Sequence, residues 1–267
     1  MCPPTEFAVN YEINPWMHLG TSINLDDAIS QFGTFVQAIQ AAQGSVEFLE
    51  SSPGLPDLVF TANAGIVNGQ TFIPAQFRYP QRWGESAIDR CWFEQRGFNI
   101  SVLEGSACQE GAGDALPVTC PDGSTVLLAG YGFRSDIETH SVLSELLGIP
   151  VRSVELCDDR LYHLDLCFCP LDSRSALVAP MGFDDYGMRV ISSLVPDMVL
   201  LRDEEALSFS ANSIVIGSSV IMPSCSPGLR SQIESRGFEV IVTPVDEFLK
   251  AGGGCRCLTL ALDTVFG

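Results

Sequence analysis

The chain has 267 residues, of which 46% are hydrophobic and 18% are charged, and it carries a formal net charge of −19 at pH 7. The length fits one large domain or two small ones, and the composition supports a sizeable buried core and differs from that of disordered chains. The acidic excess argues against nucleic acid as a partner, since phosphates are bound by basic patches, and it favours a small cationic molecule. No apolar run reaches the roughly 18 residues that span a bilayer, so we expect no membrane partner.

The number of cysteines, together with the N-terminal sequence, indicates the cellular compartment. Residues 1–6 are not a basic region followed by an apolar stretch, so no secretory signal is expected here. Ten cysteines without such a signal indicate reduced thiols and a cytoplasmic location. The pairs Cys255/Cys257 and Cys167/Cys169 have a C-x-C spacing, which is narrower than that of the usual zinc sites. We therefore expect no metal and no other cofactor, and we place Cys167 and Cys169 on one face of a strand.

Taken in chain order, the sequence predicts five copies of one module, in which an amphipathic helix ends at a turn and a β-branched strand follows. The predicted helices cover residues 25–43, 84–96, 136–147, 186–194 and 227–236. A glycine follows four of the five helices, as is common where a helix ends. The strands after them are predicted at residues 45–49, 98–103, 149–154, 198–201 and 238–242.

A polar loop follows each of these strands, and we number the loops 1 to 5 in chain order. They start at Asp57, Glu110, His163, Phe209 and Gly252. Two apolar runs separated by a turn follow each of the first four loops, and Asn68-Gly69 in the first of these turns is a strong hairpin signal. Loop 5 leads only into the run 257–260, predicted as a strand whose missing neighbour comes from residues 12–19.

Repetition every 41 to 54 residues predicts a cyclic array, because each module alone leaves one face unburied. The expected fold is α/β: a five-bladed, pseudo-symmetric α/β propeller of ββαβ modules, forming one catalytic domain over residues 1–267. Closing the ring removes most sheet edges. It also brings the five polar loops together at one end of the central axis, which neither a plain sandwich nor a doubly wound domain would do.

Loop 5 contains three consecutive glycines, residues 252–254, followed closely by Cys257. Such a run is costly inside a helix or strand and suits a loop whose backbone must approach something closely. Cys257 is therefore the candidate nucleophile, at the mouth of the last strand, with Cys255 as the alternative. In the converged loops His163 is placed to act as the base, and Glu110 as the acid that orients the histidine.

Asp57, Asn63 and Asp165 add oxygen acceptors to the same set. A thiol, a histidine and several acceptors suit an electrophile that is itself a cation. A guanidinium group fits, because it is planar, carries five N–H donors and pairs with carboxylates in a bidentate manner. Its charge would also lower the pKa of the attacking thiol. The expected partner is a small guanidino molecule, and the sequence leaves open whether the chain forms a homo-oligomer.

These residues resemble the guanidine-modifying, or pentein, superfamily of five-bladed α/β propellers, which includes arginine deiminases, dimethylargininases and amidinotransferases. The resemblance runs over nearly the whole chain. Its specific segments are Glu110-Gly-Ala-Gly-Asp114, His163-Leu-Asp165 and Gly-Gly-x-Arg-Cys257-Leu-Thr. The segments most similar to arginine dihydrolases, which convert arginine to ornithine, ammonia and carbon dioxide, are Phe60-Thr-Ala-Asn63-Ala-Gly, residues 162–171 and Tyr11-Glu-Ile-Asn14-Pro-Trp-Met.

The resemblance implies that Cys257 attacks the guanidinium carbon and forms a covalent thiouronium adduct. It implies that His163 protonates the departing ammonia and then activates water, and that Glu110 orients His163. The residues that it assigns to substrate binding are Asn14, Asp57, Asn63, Arg82, Arg134 and Asp165. Among these, Asp57 and Asp165 are implied to bind the cationic groups of the substrate, and Arg82 and Arg134 its carboxylate.

One position departs from the deiminase and dimethylargininase pattern, which has an aspartate where this chain has Asn63. An amide both donates and accepts hydrogen bonds, so it can also hold neutral citrulline for a second attack. This favours an arginine dihydrolase. The alternatives are a deiminase or dimethylargininase that stops at citrulline, an amidinotransferase, and a catalytically dead binding protein. Asp114 and Asn212 either act directly or only brace their loops.

Overall fold

The computed structural model describes residues 1–266, which form seven α-helices and twelve β-strands. The helices are α1 (Leu25–Ala41), α2 (Trp83–Gln95), α3 (Thr139–Leu147), α4 (Asp185–Leu194), α5 (Asp203–Leu207), α6 (Pro227–Glu234) and α7 (Asp246–Leu249). The strands are β1 (Gly65–Asn68), β2 (Thr71–Pro74), β3 (Asn99–Ile100), β4 (Ala115–Thr119), β5 (Thr125–Tyr131), β6 (Val151–Glu155), β7 (Phe168–Pro170), β8 (Ser175–Val178), β9 (Asp197–Leu200), β10 (Ile214–Ile216), β11 (Ser219–Met222) and β12 (Glu239–Val242).

The strands form four three-stranded sheets of one design, β1-β2-β3, β4-β5-β6, β7-β8-β9 and β10-β11-β12. In each sheet the first two strands are an antiparallel hairpin. The third strand returns after a helix and pairs parallel to the second. The mixed α/β fold and the four repeated modules that contain hairpins are therefore confirmed.

Local sequence explains where these elements begin and turn. Gly69, between β1 and β2, has a φ of 55°, which favours glycine at the hairpin turn. Three helices begin at a side chain that accepts a hydrogen bond from a backbone N–H of the first turn, namely Asn24 for α1, Asp184 for α4 and Ser226 for α6. Helix α3 ends at Gly148 in the left-handed conformation.

The first strand of each sheet borders one shared cavity. Residues of β1, β4, β7 and β10, together with the segment 259–264, line one cavity of about 680 Å³. Polar loops 1 to 4 come directly before these four strands in the sequence. These loops contact one another, since the 3₁₀ turn of loop 2 packs against those of loops 1 and 3.

The fifth module differs from the prediction. Residues 45–49, 257–260 and 12–19 form no strand. The backbone around Cys257 pairs with neighbouring loops instead: the Cys257 carbonyl accepts from the N–H of Ala62 at 3.1 Å, and the Arg256 N–H donates to the Asn212 carbonyl at 3.1 Å. Cys257 thus lies in a turn rather than at the mouth of a strand. The Cys257 carbonyl and the Arg256 N–H are therefore not available for hydrogen bonds with a neighbouring strand.

The prediction that Cys167 and Cys169 lie on one face of a strand is wrong. Cys167 precedes β7 and only Cys169 lies in it, so the two do not share one strand face.

Among residues 1–266, no helix has the length and apolarity that crossing a membrane requires. Over the same residues no cluster of His, Cys, Asp and Glu has the arrangement of a metal site, and the absence of a cofactor stays a prediction.

Candidate active site

The polar loops pack backbone against backbone, and glycines make this possible. Loop 2 contains the short 3₁₀ turn Gly111–Gly113, which lies against the 3₁₀ turn Thr61–Ala64 of loop 1. Gly111 has a φ of 65°, and a Cβ there would come within 2.8 Å of the Ala62 carbonyl oxygen. A side chain at this position would therefore push the two loops apart.

His163 and Glu110 form a buried pair. The Nε2 atom of His163 lies 2.8 Å from Oε2 of Glu110, and the same carboxylate oxygen accepts from Arg134 at 2.9 Å. Burial alone would raise the pKa of Glu110, but Arg134 and then His163 outweigh it and hold the pKa well below its usual range. Glu110 is therefore ionised and in contact with the imidazole, and its role in orienting the histidine stays a prediction.

Cys257 has two side chains at its sulfur. Nδ2 of Asn212 lies 3.1 Å from Sγ, and Oδ2 of Asp165 lies 3.5 Å from it. Burial raises the pKa of the Cys257 thiol well above its usual value, and the nearby Asp165 raises it further. Without a positive ligand the thiol is therefore protonated.

Asp165 links the nucleophile to the histidine, because it follows His163 by two residues in loop 3 and contacts the sulfur of loop 5. Burial raises its pKa to about 7, although Arg256 and hydrogen bonds to Cys257 and Asn212 act in the opposite direction. A cation placed beside Asp165 and Sγ would favour the ionised form of both groups.

Asn63 lies in the same cluster and its amide orientation is fixed. Its Oδ1 accepts from Arg82 at 3.0 Å, and its Nδ2 donates to the Glu110 carbonyl at 3.0 Å. Arg82 also pairs with Glu85 at 2.9 and 2.7 Å and donates to the Asp57 carbonyl at 3.2 Å. All three guanidinium nitrogens of Arg82 are therefore engaged within the protein.

Asp57 is buried, and burial raises the pKa of its carboxyl group, opposed by Arg82. Its Oδ1 makes no hydrogen bond of good geometry among residues 1–266, although the nearby Tyr11 hydroxyl also acts to lower the pKa of the carboxyl group. A buried carboxylate oxygen without a partner is costly, so this atom is available to accept from a ligand.

Arg134 lines a second cavity of about 500 Å³, together with Tyr79, Phe133 and residues 12–15. Two of its guanidinium nitrogens bind Glu110 and the Ile13 carbonyl. Asn14 borders the same cavity, but its amide is occupied: it donates to the Ala251 carbonyl at 3.0 Å and accepts from two backbone N–H groups. Asn14 thus ties the N-terminal segment to loop 5.

The structure brings together eight of the nine predicted site residues in fully buried positions, all at most 3% exposed, and places Asn14, which is half-buried, at the edge. Cys255 points elsewhere, with its sulfur 3.4 Å from Oγ1 of Thr243, and burial raises its pKa to about 12. The geometry thus favours Cys257 over Cys255 as the nucleophile.

Sequence reasoning left Asn212 undecided and missed Tyr162. Asn212 contacts the Cys257 sulfur directly. The hydroxyl of Tyr162 donates to the Gly252 carbonyl at 2.7 Å, which fixes the glycine run from the side of loop 3. Both residues lie in or next to a polar loop, and Tyr162 also begins the segment 162–171 that resembles arginine dihydrolases, so the sequence did carry a signal for each.

A family model described as N,N dimethylarginine dimethylhydrolase, eukaryotic, matches residues 2–263. The bifunctional arginine dihydrolase/ornithine cyclodeaminase AgrE of Nostoc sp. is 40% identical over 97% of this chain, and this chain spans only 37% of its length. The N(G),N(G)-dimethylarginine dimethylaminohydrolase of Mycobacterium tuberculosis is 36% identical, over 98% of this chain and 84% of that protein.

Among solved structures, the N-terminal domain of ArgZ, an arginine dihydrolase from the ornithine-ammonia cycle in cyanobacteria, is similar with a TM-score of 0.95 and 37% identity. The match covers 100% of this chain and 98% of that one, in a cysteine-to-serine mutant bound to substrate. By its family match over residues 2–263 and its similarity to the mycobacterial enzyme, the chain belongs to the N,N-dimethylarginine dimethylhydrolase family.

Proposed function

We propose that the chain is an arginine dihydrolase, which hydrolyses the guanidinium group of arginine through a thiouronium adduct on Cys257. Arginine and two waters would give ornithine, two ammonia and one carbon dioxide. The observation that carries the proposal is the enclosure of a thiol, a His163–Glu110 pair and two carboxylates, Asp57 and Asp165, in one buried site. Similarity over the whole chain to the ArgZ domain supports it.

The first half-reaction begins when the guanidinium pairs with Asp165 and with the unpartnered oxygen of Asp57. Its charge offsets the burial and the carboxylate that keep the Cys257 thiol protonated, so the thiol releases its proton to His163 and the thiolate forms when substrate is bound. The sulfur attacks the central carbon and a C–S bond forms. The C–N bond then breaks, and His163 supplies a proton to the departing ammonia.

The second half-reaction consumes the adduct. His163, now neutral and held by Glu110, takes a proton from water, which attacks the same carbon. The C–S bond breaks, its electron pair returns to Cys257, and a ureido product, citrulline, is left in the site. No step requires a cofactor or a metal.

A second hydrolysis of citrulline would complete the dihydrolase reaction. Asn63 uses one N–H of its amide on the Glu110 carbonyl, which leaves the other for a ligand. An N–H donor suits a ureido oxygen and a carboxylate in its place would repel it, so we assign to Asn63 the retention of citrulline.

The substrate carboxylate requires a cation that is not already saturated. We assign it to Arg134, which lines the open cavity and keeps one guanidinium nitrogen without a partner among residues 1–266. Arg82, whose three nitrogens are all engaged, is assigned instead to positioning Asn63 and Asp57. Asn14 is assigned to holding loop 5 at the edge of the site.

At the level of the fold, we propose that the chain is a five-bladed α/β propeller in which loop 5 and its flanking segments complete the ring. The central cavity, lined by four equivalent strands and by residues 259–264, supports this arrangement. We further propose one catalytic domain over residues 1–267. The cytoplasmic location and the formation of a homo-oligomer stay predictions.

Incubation with arginine tests the function, with citrulline, ornithine and ammonia measured together and the Cys257→Ser protein as control. We expect two ammonia for each ornithine and no turnover by the control. One ammonia for each citrulline, without ornithine, would instead identify a deiminase.

The second candidate is a dimethylarginine hydrolase, which the family model and the mycobacterial relative favour. Release of dimethylamine from methylated arginine, at a higher kcat/KM than ammonia from arginine, would establish it. Transfer of the amidino group to an added amine would indicate an amidinotransferase. Tight arginine binding without any turnover would indicate a binding protein.

A further inference from the structure

Asn212, in loop 4, is fully buried, and both ends of its side-chain amide bind the loop that carries the nucleophile. Its Oδ1 accepts from the backbone N–H of Gly254 at 3.1 Å and from that of Cys257 at 3.1 Å. Its Nδ2 lies 3.1 Å from the Cys257 sulfur and 3.1 Å from the Asp165 carbonyl oxygen. No function was assigned to this residue from the sequence or from the family resemblance.

These contacts fix which way the amide points. If oxygen and nitrogen were exchanged, the NH₂ group would face two backbone N–H donors, and the oxygen would face a carbonyl. Only the observed orientation satisfies all four partners. An N–H of Asn212 is therefore aimed at the reacting sulfur by the backbone of the same loop.

The sulfur is otherwise in surroundings that disfavour its charge. It is buried, and its other polar side-chain neighbour is the carboxylate of Asp165 at 3.5 Å. Burial and a nearby negative group both favour the neutral thiol, whereas a hydrogen bond donated to the sulfur favours the thiolate. Among the side chains that contact Sγ in residues 1–266, only Asn212 acts in the direction that catalysis requires.

We infer that Asn212 is a catalytic residue that stabilises the thiolate of Cys257 through its Nδ2–H group. The inference rests on the proposed function, in which Cys257 is the nucleophile. The sulfur carries negative charge twice in each hydrolysis: before the C–S bond forms, and when that bond breaks and the electron pair returns to it. The same N–H serves both moments, because the amide is fixed by contacts that do not involve substrate.

Asn212→Asp removes this donor but also brings a second carboxyl group to the sulfur, so the Gly254→Ala arm described below, which adds no charge, separates the two effects. The Asn212→Asp side chain keeps an oxygen for the N–H groups of Gly254 and Cys257. The reactivity of Cys257 is read from its alkylation by iodoacetamide between pH 6 and 10, followed on its own peptide by mass spectrometry. Below the thiol pKa, a plot of the logarithm of the alkylation rate against pH is a rising straight line. A displacement of this line along the pH axis therefore reports a changed pKa, even when the pKa itself lies above the pH range of the experiment.

We expect the Asn212→Asp line to be displaced to higher pH by at least about one unit. We expect kcat for arginine to fall roughly 10- to 100-fold, the usual effect of losing a hydrogen bond to a charged group, with a smaller change in KM. Asn68→Asp is the matched control, since within the described part of the chain Asn68 uses only its oxygen, to accept from the N–H of Phe266, outside the site. If both variants fall on the wild-type line, the inference is wrong.

A second pair of variants leaves Asn212 unchanged and so guards against a variant that does not fold. A Cβ at Gly254 would lie 2.8 Å from Oδ1 of Asn212, so Gly254→Ala should push the amide off the sulfur. A Cβ at Gly228 would meet nothing closer than 3.9 Å, which makes Gly228→Ala the control. Gly254→Ala should slow alkylation in the same direction as Asn212→Asp, and wild-type alkylation by a folded Gly254→Ala protein would contradict the inference.

The two arms separate this inference from the proposed function. Alkylation requires no arginine turnover, so a displaced line with no hydrolysis would uphold the role of Asn212 at the sulfur and overturn the proposed function. Arginine hydrolysis with an undisplaced line would do the reverse.

Discussion

At the scale of single residues, the site concentrates ionisable groups whose burial opposes their charge. Burial raises the pKa of Asp165 to about 7, that of Glu85 to about 7 and that of Asp114 to about 6. A buried carboxyl whose pKa is raised holds its proton in the folded state at a pH where the unfolded chain has released it. Folding stability is therefore lost as the pH rises through that interval.

Asp165→Asn should thus stabilise the fold while it abolishes turnover. The free energy of unfolding of Asp165→Asn, relative to that of the wild type, should increase between pH 5 and pH 8 by on the order of 2–3 kcal/mol, because each pKa unit corresponds to about 1.4 kcal/mol. Urea unfolding of both proteins at several pH values measures it. Asp26→Asn, an exposed change in α1, is the control and should show no such growth. A constant difference across this range would contradict the burial argument for Asp165.

Asn63→Asp should stop the reaction at citrulline. The carboxylate would keep the acceptor that Arg82 uses but would lose the N–H that suits a ureido oxygen. Product analysis should show citrulline accumulating with one ammonia for each arginine, at a rate of arginine loss within about tenfold of wild type. Ornithine formation at the wild-type rate would exclude this role for Asn63.

At the scale of secondary structure, prediction succeeded where the signal is local. The hairpin at Asn68-Gly69 and the return strands after α2, α3, α4 and α6 are set by turns and apolar patterns within a few residues. The short helices α5 and α7 were missed because four or five residues give no periodicity. The prediction for the fifth module was wrong because the backbone partners of its last segment, such as Ala62 for Cys257, are far away in the sequence.

The same distinction applies to the site. Residue types and their place after predicted strands were enough to expect the thiol, the histidine and the carboxylates at one place, where the structure has them, while their roles stay predictions. Arg82 meets Glu85 locally, but its contact with Asn63 and the contacts that orient Asn212 join segments 19 to 47 residues apart. These longer contacts follow from the three-dimensional fold and from nothing in the neighbouring sequence.

Loop 5 gives a test of close packing at this scale. A Cβ at Gly253 would lie 2.3 Å from the ring of Phe60, which is buried against Phe7, so Gly253→Ala should cost about 1–3 kcal/mol and reduce turnover. Gly33 lies inside α1 with nothing within 4 Å of its Cβ position, so Gly33→Ala should stabilise by up to about 1 kcal/mol. Urea unfolding of both variants checks this, and equal stabilities would refute the packing argument.

At the scale of the whole molecule, the charge of −19 surrounds a site that we assign to a cationic substrate. The field of the protein should raise the rate at which arginine is captured. Raising the salt from about 10 mM to about 1 M shortens the screening length from about 30 to about 3 Å. We expect kcat/KM for arginine to fall several-fold, while that for citrulline, which has no net charge, changes little. Equal salt dependence for both substrates would argue against steering.

The near-complete burial of the site residues has a kinetic consequence. A citrulline molecule formed inside a buried site has two fates, escape to solvent or a second attack by Cys257. The product ratio is then the ratio of two rates rather than a property of binding alone. A change that speeds escape would turn a dihydrolase into a deiminase without touching any residue that performs the chemistry.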